Sequence, residues 1–145
     1  MHEDDLRDMF LDAQSGLRKG TPATEANVDL VLDESDGSVT WYELKLTSAV
    51  DLGQLSRQRE AQAASLKHHS SAFRHVLAVA AAQIDGYGAA REGFSVVELS
   101  DLCNDWLSPT EAEEAKAEIQ AATTGHRRIQ QQRRLLDALR EYDAR

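Results

Sequence analysis

The stretch VDLVLDESDGSVTWYELKL, residues 28–46, decides the predicted fold of this 145-residue chain. Two β-prone runs flank the turn sequence DESDG, an order that is typical of a β-hairpin. Because side chains alternate between the faces of a strand, Glu43 and Lys45 share one face, and the turn can bring Asp29 opposite them. Unpaired charges are costly inside a sheet. The three charges are therefore either a cross-strand ion-pair cluster or a site.

The other segments alternate between helix and strand. The predicted elements are a first helix through Leu17, ended by Gly20 and Pro22; a helix over 52–68; a strand over Val76–Ala82; a short helix around Tyr87–Glu92; a strand over Phe94–Leu99; a helix from Ser108 to about Ala122; and, after a break at Gly125, a last amphipathic helix. This order predicts an α/β fold, with a domain over 1–107 and a two-helix C-terminal extension over 108–145.

The net charge of −9 lies entirely in residues 1–108, whereas residues 109–145 are neutral overall and rich in arginine. An acidic body argues against a non-specific grip on nucleic acid, because phosphate binding needs Lys and Arg. Only four lysines stand against twelve arginines. An acidic, lysine-poor surface suits a high-salt cytoplasm, where screening weakens the repulsion. We therefore expect folding to depend on salt.

Cysteine usage and hydropathy restrict the kinds of site and the cellular compartment that can be expected for the protein. The single cysteine, Cys103, excludes an intrachain disulfide and a multi-cysteine zinc site within one chain. No apolar run approaches the ~20 residues of a membrane span, and the acidic N-terminus MHEDD is unlike a signal peptide. These features predict a cytoplasmic location without membrane contact.

The charges of the hairpin form a chemically coherent set. Carboxylates on adjacent strands can bind Mg²⁺, which prefers oxygen ligands and takes one or two protein carboxylates beside water and phosphate. Lys45 lies two residues after Glu43, so it can stabilise developing negative charge or position an attacking water. The pattern D-x13-E-x-K therefore favours phosphodiester hydrolysis. Glu3 falls three residues before Leu6 on the inward face of the first helix.

This pattern resembles the PD-(D/E)xK nuclease superfamily, whose core is a helix, a meander carrying Asp and E-x-K, a helix and a further strand. Over roughly residues 2–100, the chain is most similar to the nuclease domain of NucS-type mismatch endonucleases. The shared features are an acidic first helix like EDDLRDMFLDAQSGL, a segment like VDLVLDESDG, an E-L-K strand, and a helix with Q-L near its start, matched by Gln54-Leu55. The segment DGYGAAREGFSVVEL also resembles Mrr-type nucleases and archaeal Holliday-junction resolvases.

Two departures concern the segment after the E-L-K strand. The residues Leu46-Thr47-Ser48 stand where many members carry basic residues. The stretch between Glu43 and Gln54 is also short, so Gln58 competes with Gln54 for the role of the helix glutamine.

The resemblance implies a restriction endonuclease-like core, with a central mixed sheet flanked by helices and a C-terminal helical extension. It implies a metal-dependent DNA endonuclease in which Mg²⁺ or Mn²⁺ binds at Glu3, Asp29, Glu43 and the Leu44 carbonyl. The catalytic residues would be Asp29, Glu43, Lys45 and Gln54. The open alternatives are a catalytically silent binding or assembly module with this fold, and a nuclease that acts on branched DNA or RNA.

Two further groups of residues have competing interpretations. The apolar stripe of the tail predicts a homodimer through the C-terminal helices, although the same segment could pack back on the domain or contact DNA. His68, His69 and His75 are interpreted as structural histidines and not as metal ligands, because histidine is favoured at helix C-termini.

Overall fold

The computed structural model of the chain describes residues 1–20, 28–47, 52–66, 73–80 and 94–143. It is an α/β arrangement, as predicted, in which helices flank a five-stranded mixed sheet and a long helix follows. The elements are α1 (Glu3–Ala13), β1 (Leu17–Arg18), β2 (Leu30–Asp33), β3 (Val39–Lys45), α2 (Leu52–Leu66), β4 (Phe73–Val79), β5 (Ser95–Glu98), α3 (Leu99–Trp106) and α4 (Pro109–Asp143). No helix in these ranges combines the length and apolar character of a bilayer-spanning segment.

The five strands lie in the sheet in chain order. Strands β1, β2 and β3 are antiparallel neighbours, whereas β4 joins β3 in parallel and β5 joins β4 in parallel. Parallel pairing requires a crossover, and α2 lies in the crossover between β3 and β4. The register pairs Trp41 with His75 and Glu43 with Leu77, so His75 lies on the same face of the sheet as Glu43.

One face of the sheet carries the main hydrophobic core. Leu30, Leu44 and Leu46 pack there with Leu6 and Phe10 of α1. The same cluster continues into α3 and the first half of α4 through Leu99, Leu102, Cys103, Leu107, Ala112, Ala115 and Ile119. Fully burying a Leu or Phe side chain contributes about 1.5–3 kcal/mol. The first half of α4 is therefore part of the folded body.

The opposite face of the sheet carries smaller apolar clusters and the charged residues of β3. Val31 and Trp41 pack with Ala61 of α2, and Leu77, Val79 and Phe94 form a separate cluster. The alternation predicted for the hairpin is thus confirmed, because even and odd positions of β3 contribute to different faces. Helix α2 lies against the charged face of the sheet.

Helix α1 is shorter than the sequence predicts. It ends at Ala13, and Leu17–Arg18 form β1, which pairs with β2. Leu17 keeps the helical spacing of the apolar residues, which explains the wrong prediction. The chain leaves the helix at the C-cap Gln14, which has an extended conformation. Gly16 then has a φ of 91°, a left-handed conformation that glycine adopts without strain, in the turn that leads into β1.

The C-terminal extension is one helix and not two. Helix α4 begins at Pro109 and runs for 35 residues to Asp143. Ser108 Oγ accepts a hydrogen bond from the Glu111 backbone N–H at 3.3 Å, which is one half of the predicted capping box, and donates to Glu111 Oε1 at 2.8 Å. The predicted break at Gly125 is wrong. A glycine costs a helix about 1 kcal/mol relative to alanine, which the neighbouring helix formers can offset.

Two other predictions concern the segment before α4. Helix α3 is not predicted by the sequence pattern, which extends the strand through Leu99. In the structure the strand ends at Glu98 and α3 starts at Leu99. The predicted helix around Tyr87–Glu92 lies outside the described residues.

Candidate active site

The predicted site lies at the C-terminal end of β3, on the face of the sheet that α2 covers. Glu43 and Lys45 project from this face, and Lys45 Nζ lies 3.4 Å from Glu43 Oε1. Their side chains are only 4% and 13% exposed. The pair is therefore poorly screened by water, and its electrostatic interaction is stronger than that of an exposed surface pair.

Asp29 reaches the same strand from a bend just before β2. The sequence analysis placed Asp29 within the first strand, but β2 begins at Leu30. Asp29 Oδ2 accepts a hydrogen bond of 2.8 Å from the Leu44 backbone N–H. Strand β2 does not extend far enough to pair with Leu44, so the Asp29 carboxylate supplies the hydrogen-bond acceptor that a neighbouring strand would otherwise provide. Leu44 itself contributes backbone here, since its side chain is buried in the main core.

Glu3 extends from α1 to the end of β3 but meets a different part of the backbone. Its Oε1 accepts hydrogen bonds from Leu46 N at 2.9 Å and from Thr47 N at 3.4 Å. Within the described ranges, no group of three or more His, Cys, Asp or Glu residues is arranged to hold a metal ion. The role visible for Glu3 is therefore to satisfy the N–H groups that follow β3.

Two glutamines of α2 bind the two oxygens of the Glu43 carboxylate. Gln54 Nε2 donates to Glu43 Oε1 at 3.3 Å, and Gln58, one helical turn later, donates from Nε2 to Glu43 Oε2 at 3.1 Å. Lys45 Nζ also donates to Gln54 Oε1 at 3.5 Å. Residues four apart lie on the same helix face, so both amides reach the sheet together.

Gln58 also connects Glu43 to His75 of β4. Its side chain is fully buried, and His75 Nε2 lies 2.9 Å from Gln58 Oε1. Because Gln58 Nε2 donates to Glu43, we assign the imidazole proton to Nε2, so that the ring donates to Gln58 Oε1. Burial and the neighbouring Arg59 guanidinium lower the pKa of His75 to about 3, so the ring is neutral. His75 Nδ1 is buried and makes no hydrogen bond within the described part of the chain.

His68, His69 and His75 are predicted to be structural histidines at a helix end, and of these His68 and His69 lie outside the described residues. His75 is instead a strand residue between Trp41 and Phe94, whose rings contact it at centroid distances of 5.7 and 3.7 Å. The alternation of β4 could have placed His75 on the face of Leu77 and Val79. No sequence signal gives the register that aligns it with Gln58.

Burial is the largest cause of the raised pKa of both carboxyl groups. Burial, and then the charge of Asp29, raise the pKa of Glu43 to about 7, against the opposing hydrogen bond from Gln58 and the charge of Lys45. Burial also raises the pKa of Asp29, although the Leu44 N–H and Lys45 act in the other direction. Two desolvated acids that repel each other favour binding of a proton or a cation between them.

The structure thus brings together five of the six predicted site residues. Asp29, Glu43, Leu44, Lys45 and Gln54 are linked by hydrogen bonds and an ion pair, and Glu3 lies at the following residues. Comparisons of the chain with protein-family models, with curated proteins and with solved structures find no match.

Proposed function

We propose that the chain is a metal-dependent endonuclease that hydrolyses DNA phosphodiester bonds, with a PD-(D/E)xK site on a restriction endonuclease-like core. The observation that carries the proposal is the convergence of Asp29, Glu43 and Lys45 on one end of β3. A purely structural ion-pair cluster would gain little from keeping a second, repelling carboxylate beside the Glu43–Lys45 pair.

The donor set fits a hard divalent cation. Asp29 and Glu43 supply carboxylate oxygens, and Mg²⁺ commonly takes one or two protein carboxylates and completes its shell with water and phosphate. The raised pKa values of both acids are consistent with a position where a positive charge relieves desolvation and repulsion. When bound there, Mg²⁺ or Mn²⁺ would supply Lewis-acid polarisation of the phosphate and a more acidic water.

The residues of the chain itself position the reacting groups. Lys45 Nζ lies within reach of Glu43 Oε1 and Gln54 Oε1, so the ammonium group is fixed where it can stabilise negative charge on a phosphate oxygen. Gln54 and Gln58 fix the orientation of the Glu43 carboxylate. Arg57 and Arg59 are exposed on α2, the helix that covers the site, and contacts from them to the DNA backbone would add to binding. Arg74 pairs with Thr40 and so lies on the other face of the sheet.

Cleavage assays on the full chain test this proposal. With plasmid DNA and millimolar Mg²⁺ or Mn²⁺, we expect Lys45→Ala and Glu43→Gln to reduce the cleavage rate at least about 100-fold. Lys116→Ala is the matched control, because Lys116 pairs with Glu113 on α4, away from the site. Equal cleavage by Lys45→Ala and the wild type would contradict the assignment. Single-stranded, mismatched and branched DNA and RNA then define the substrate.

A catalytically silent module with the same fold is the second candidate. It is favoured by the absence, within the described residues, of a third acidic or histidine ligand beside Asp29 and Glu43. A metal titration separates the two functions. Stabilisation of the wild type by millimolar Mg²⁺ or Mn²⁺ that is lost in Glu43→Gln supports the nuclease. No shift in Tm, together with no cleavage, supports the module.

A further inference from the structure

The second half of α4 exposes a continuous set of large apolar side chains. In the first half of the helix, Ala112, Ala115 and Ile119 are buried in the main core. After Gly125 the helix presents Ile129, Leu135, Leu136, Leu139 and Tyr142, which are 50%, 62%, 53%, 53% and 78% exposed. This segment, residues 125–143, is about 28 Å long at the rise of an α-helix.

These side chains form one stripe on the helix. The positions 129, 132, 135/136, 139 and 142/143 follow the alternating three- and four-residue spacing of a helix that packs along one partner helix. In water, a helix of this length gains most of its stability from burying such a face. The stripe therefore indicates an interface, and its charges identify the partner.

Charge is unevenly ordered along the segment. Residues 126–135 contain four arginines and no acidic residue, whereas residues 136–143 contain three acidic residues and one arginine. At the ends of the stripe itself, helical geometry puts Arg128 and Asp143 on the apolar face. A second identical helix running in the opposite direction would place each basic half against an acidic half. A parallel copy would place Arg128 against Arg128 and Asp143 against Asp143.

We infer that residues 125–143 of α4 bind the same segment of a second copy of this chain, in antiparallel orientation. One alignment pairs both the apolar residues and the opposite charges. It places Arg128 opposite Asp143 of the second copy, Ile129 opposite Tyr142, and Leu135 opposite Leu136. The antiparallel arrangement also opposes the two helix dipoles favourably. This inference does not depend on the proposed nuclease function, since none of these residues belongs to the site.

The mass of the full chain in solution tests the association. Between 5 and 100 µM, in about 0.15 M salt, we expect sedimentation equilibrium to give twice the 16.1 kDa chain mass. Leu136→Glu should raise the dissociation constant at least tenfold, because it puts a charge at the centre of the interface. Gln130→Glu adds the same charge on the opposite helix face and should change the dissociation constant less than twofold. Thermal unfolding of each variant checks that the body remains folded.

Cysteine cross-linking tests the orientation. Leu136→Cys places two thiols near each other in the antiparallel alignment and should form an intermolecular disulfide on oxidation. Ile129→Cys should not, because the two thiols would lie about 20 Å apart along the helices. The wild type controls for the buried Cys103. Equal cross-linking of both variants would show a parallel pair, and a monomer at 100 µM that binds anionic vesicles would show a membrane surface as the partner; either result overturns the inference.

Discussion

Gln58 connects two buried polar side chains through one amide group. It is fully buried, and each end of its amide has one partner, Glu43 Oε2 at one side and His75 Nε2 at the other. Asn, Gln and neutral His each carry both a donor and an acceptor, so the direction of donation is fixed along this chain of groups. A carboxylate at one end therefore determines the tautomer of an imidazole on the next strand.

Replacing Gln58 tests the energetic weight of this connection. We expect Gln58→Met to lower the free energy of unfolding by about 2–4 kcal/mol, because it leaves polar groups of Glu43 and His75 buried without partners. Gln54→Met is the control: Gln54 also donates to Glu43 but is partly exposed, so water can replace it, and the loss should be about 1 kcal/mol. Urea unfolding measures both. Equal losses would contradict the special role of Gln58.

Glu43 should make stability depend on pH in the metal-free protein. Its pKa is about 7 in the folded chain, above the ordinary 4.5, so folding favours the protonated form. The stabilisation that comes from the higher proton affinity of Glu43 in the folded chain is complete below about pH 4.5 and is lost as the pH rises to about 7. The loss should be on the order of 1–3 kcal/mol.

The variant Glu43→Gln removes this titration, so the wild type should lose stability relative to the variant between pH 5 and pH 8. Urea unfolding in EDTA at several pH values measures the difference. Parallel profiles for the two proteins would show that Glu43 is not desolvated as the structure indicates. Millimolar Mg²⁺ should reduce the dependence in the wild type, if the cation binds beside this carboxylate.

At the scale of elements, the alternation of faces along β3 and the start of α4 could be predicted from the sequence. The end of α1 and the register between the elements could not. The pattern of β3 gave the face of Glu43 and Lys45, and Ser108 with Glu111 gave the start of α4. Leu17 keeps the helical spacing of apolar residues although the helix ends at Ala13, because this spacing indicates which residues are buried and not the direction of the backbone. The link between Gln58 and His75 depends on the register of two strands and a helix, which no local sequence pattern specifies.

Gly125 provides a direct test of the continuous helix. A Cβ added at Gly125 would contact nothing within 4 Å, so Gly125→Ala should raise helix content and stabilise α4 by up to about 1 kcal/mol. In Gly20→Ala, by contrast, the new methyl group would collide with the carbonyl oxygen of Val28, so this variant should be destabilised. Circular dichroism and thermal unfolding measure both changes. A loss of helix in Gly125→Ala would support a break at this position.

At the scale of the whole molecule, charge is divided between an acidic body and a more basic helix end. Residues 1–108 carry the whole net charge of −9, and the repulsion within this part of the chain is screened by salt. Raising NaCl from 0.05 to 1 M should therefore increase the free energy of unfolding, by an amount measured in urea titrations at each salt concentration. A stability that does not change with salt would contradict the expectation that repulsion among these acidic residues destabilises the fold.

The site draws on residues that are far apart in the chain, from Glu3 in α1 to His75 in β4. During synthesis, a ribosome adding about 5–20 residues per second needs roughly 1.5–6 s to pass from Lys45, the last residue of the motif, to His75. Until then, the acidic cluster on the nascent hairpin has no Gln58–His75 partner on its buried side, and its charges remain hydrated. Translation time therefore sets an interval in which the chain carries its motif without an assembled site.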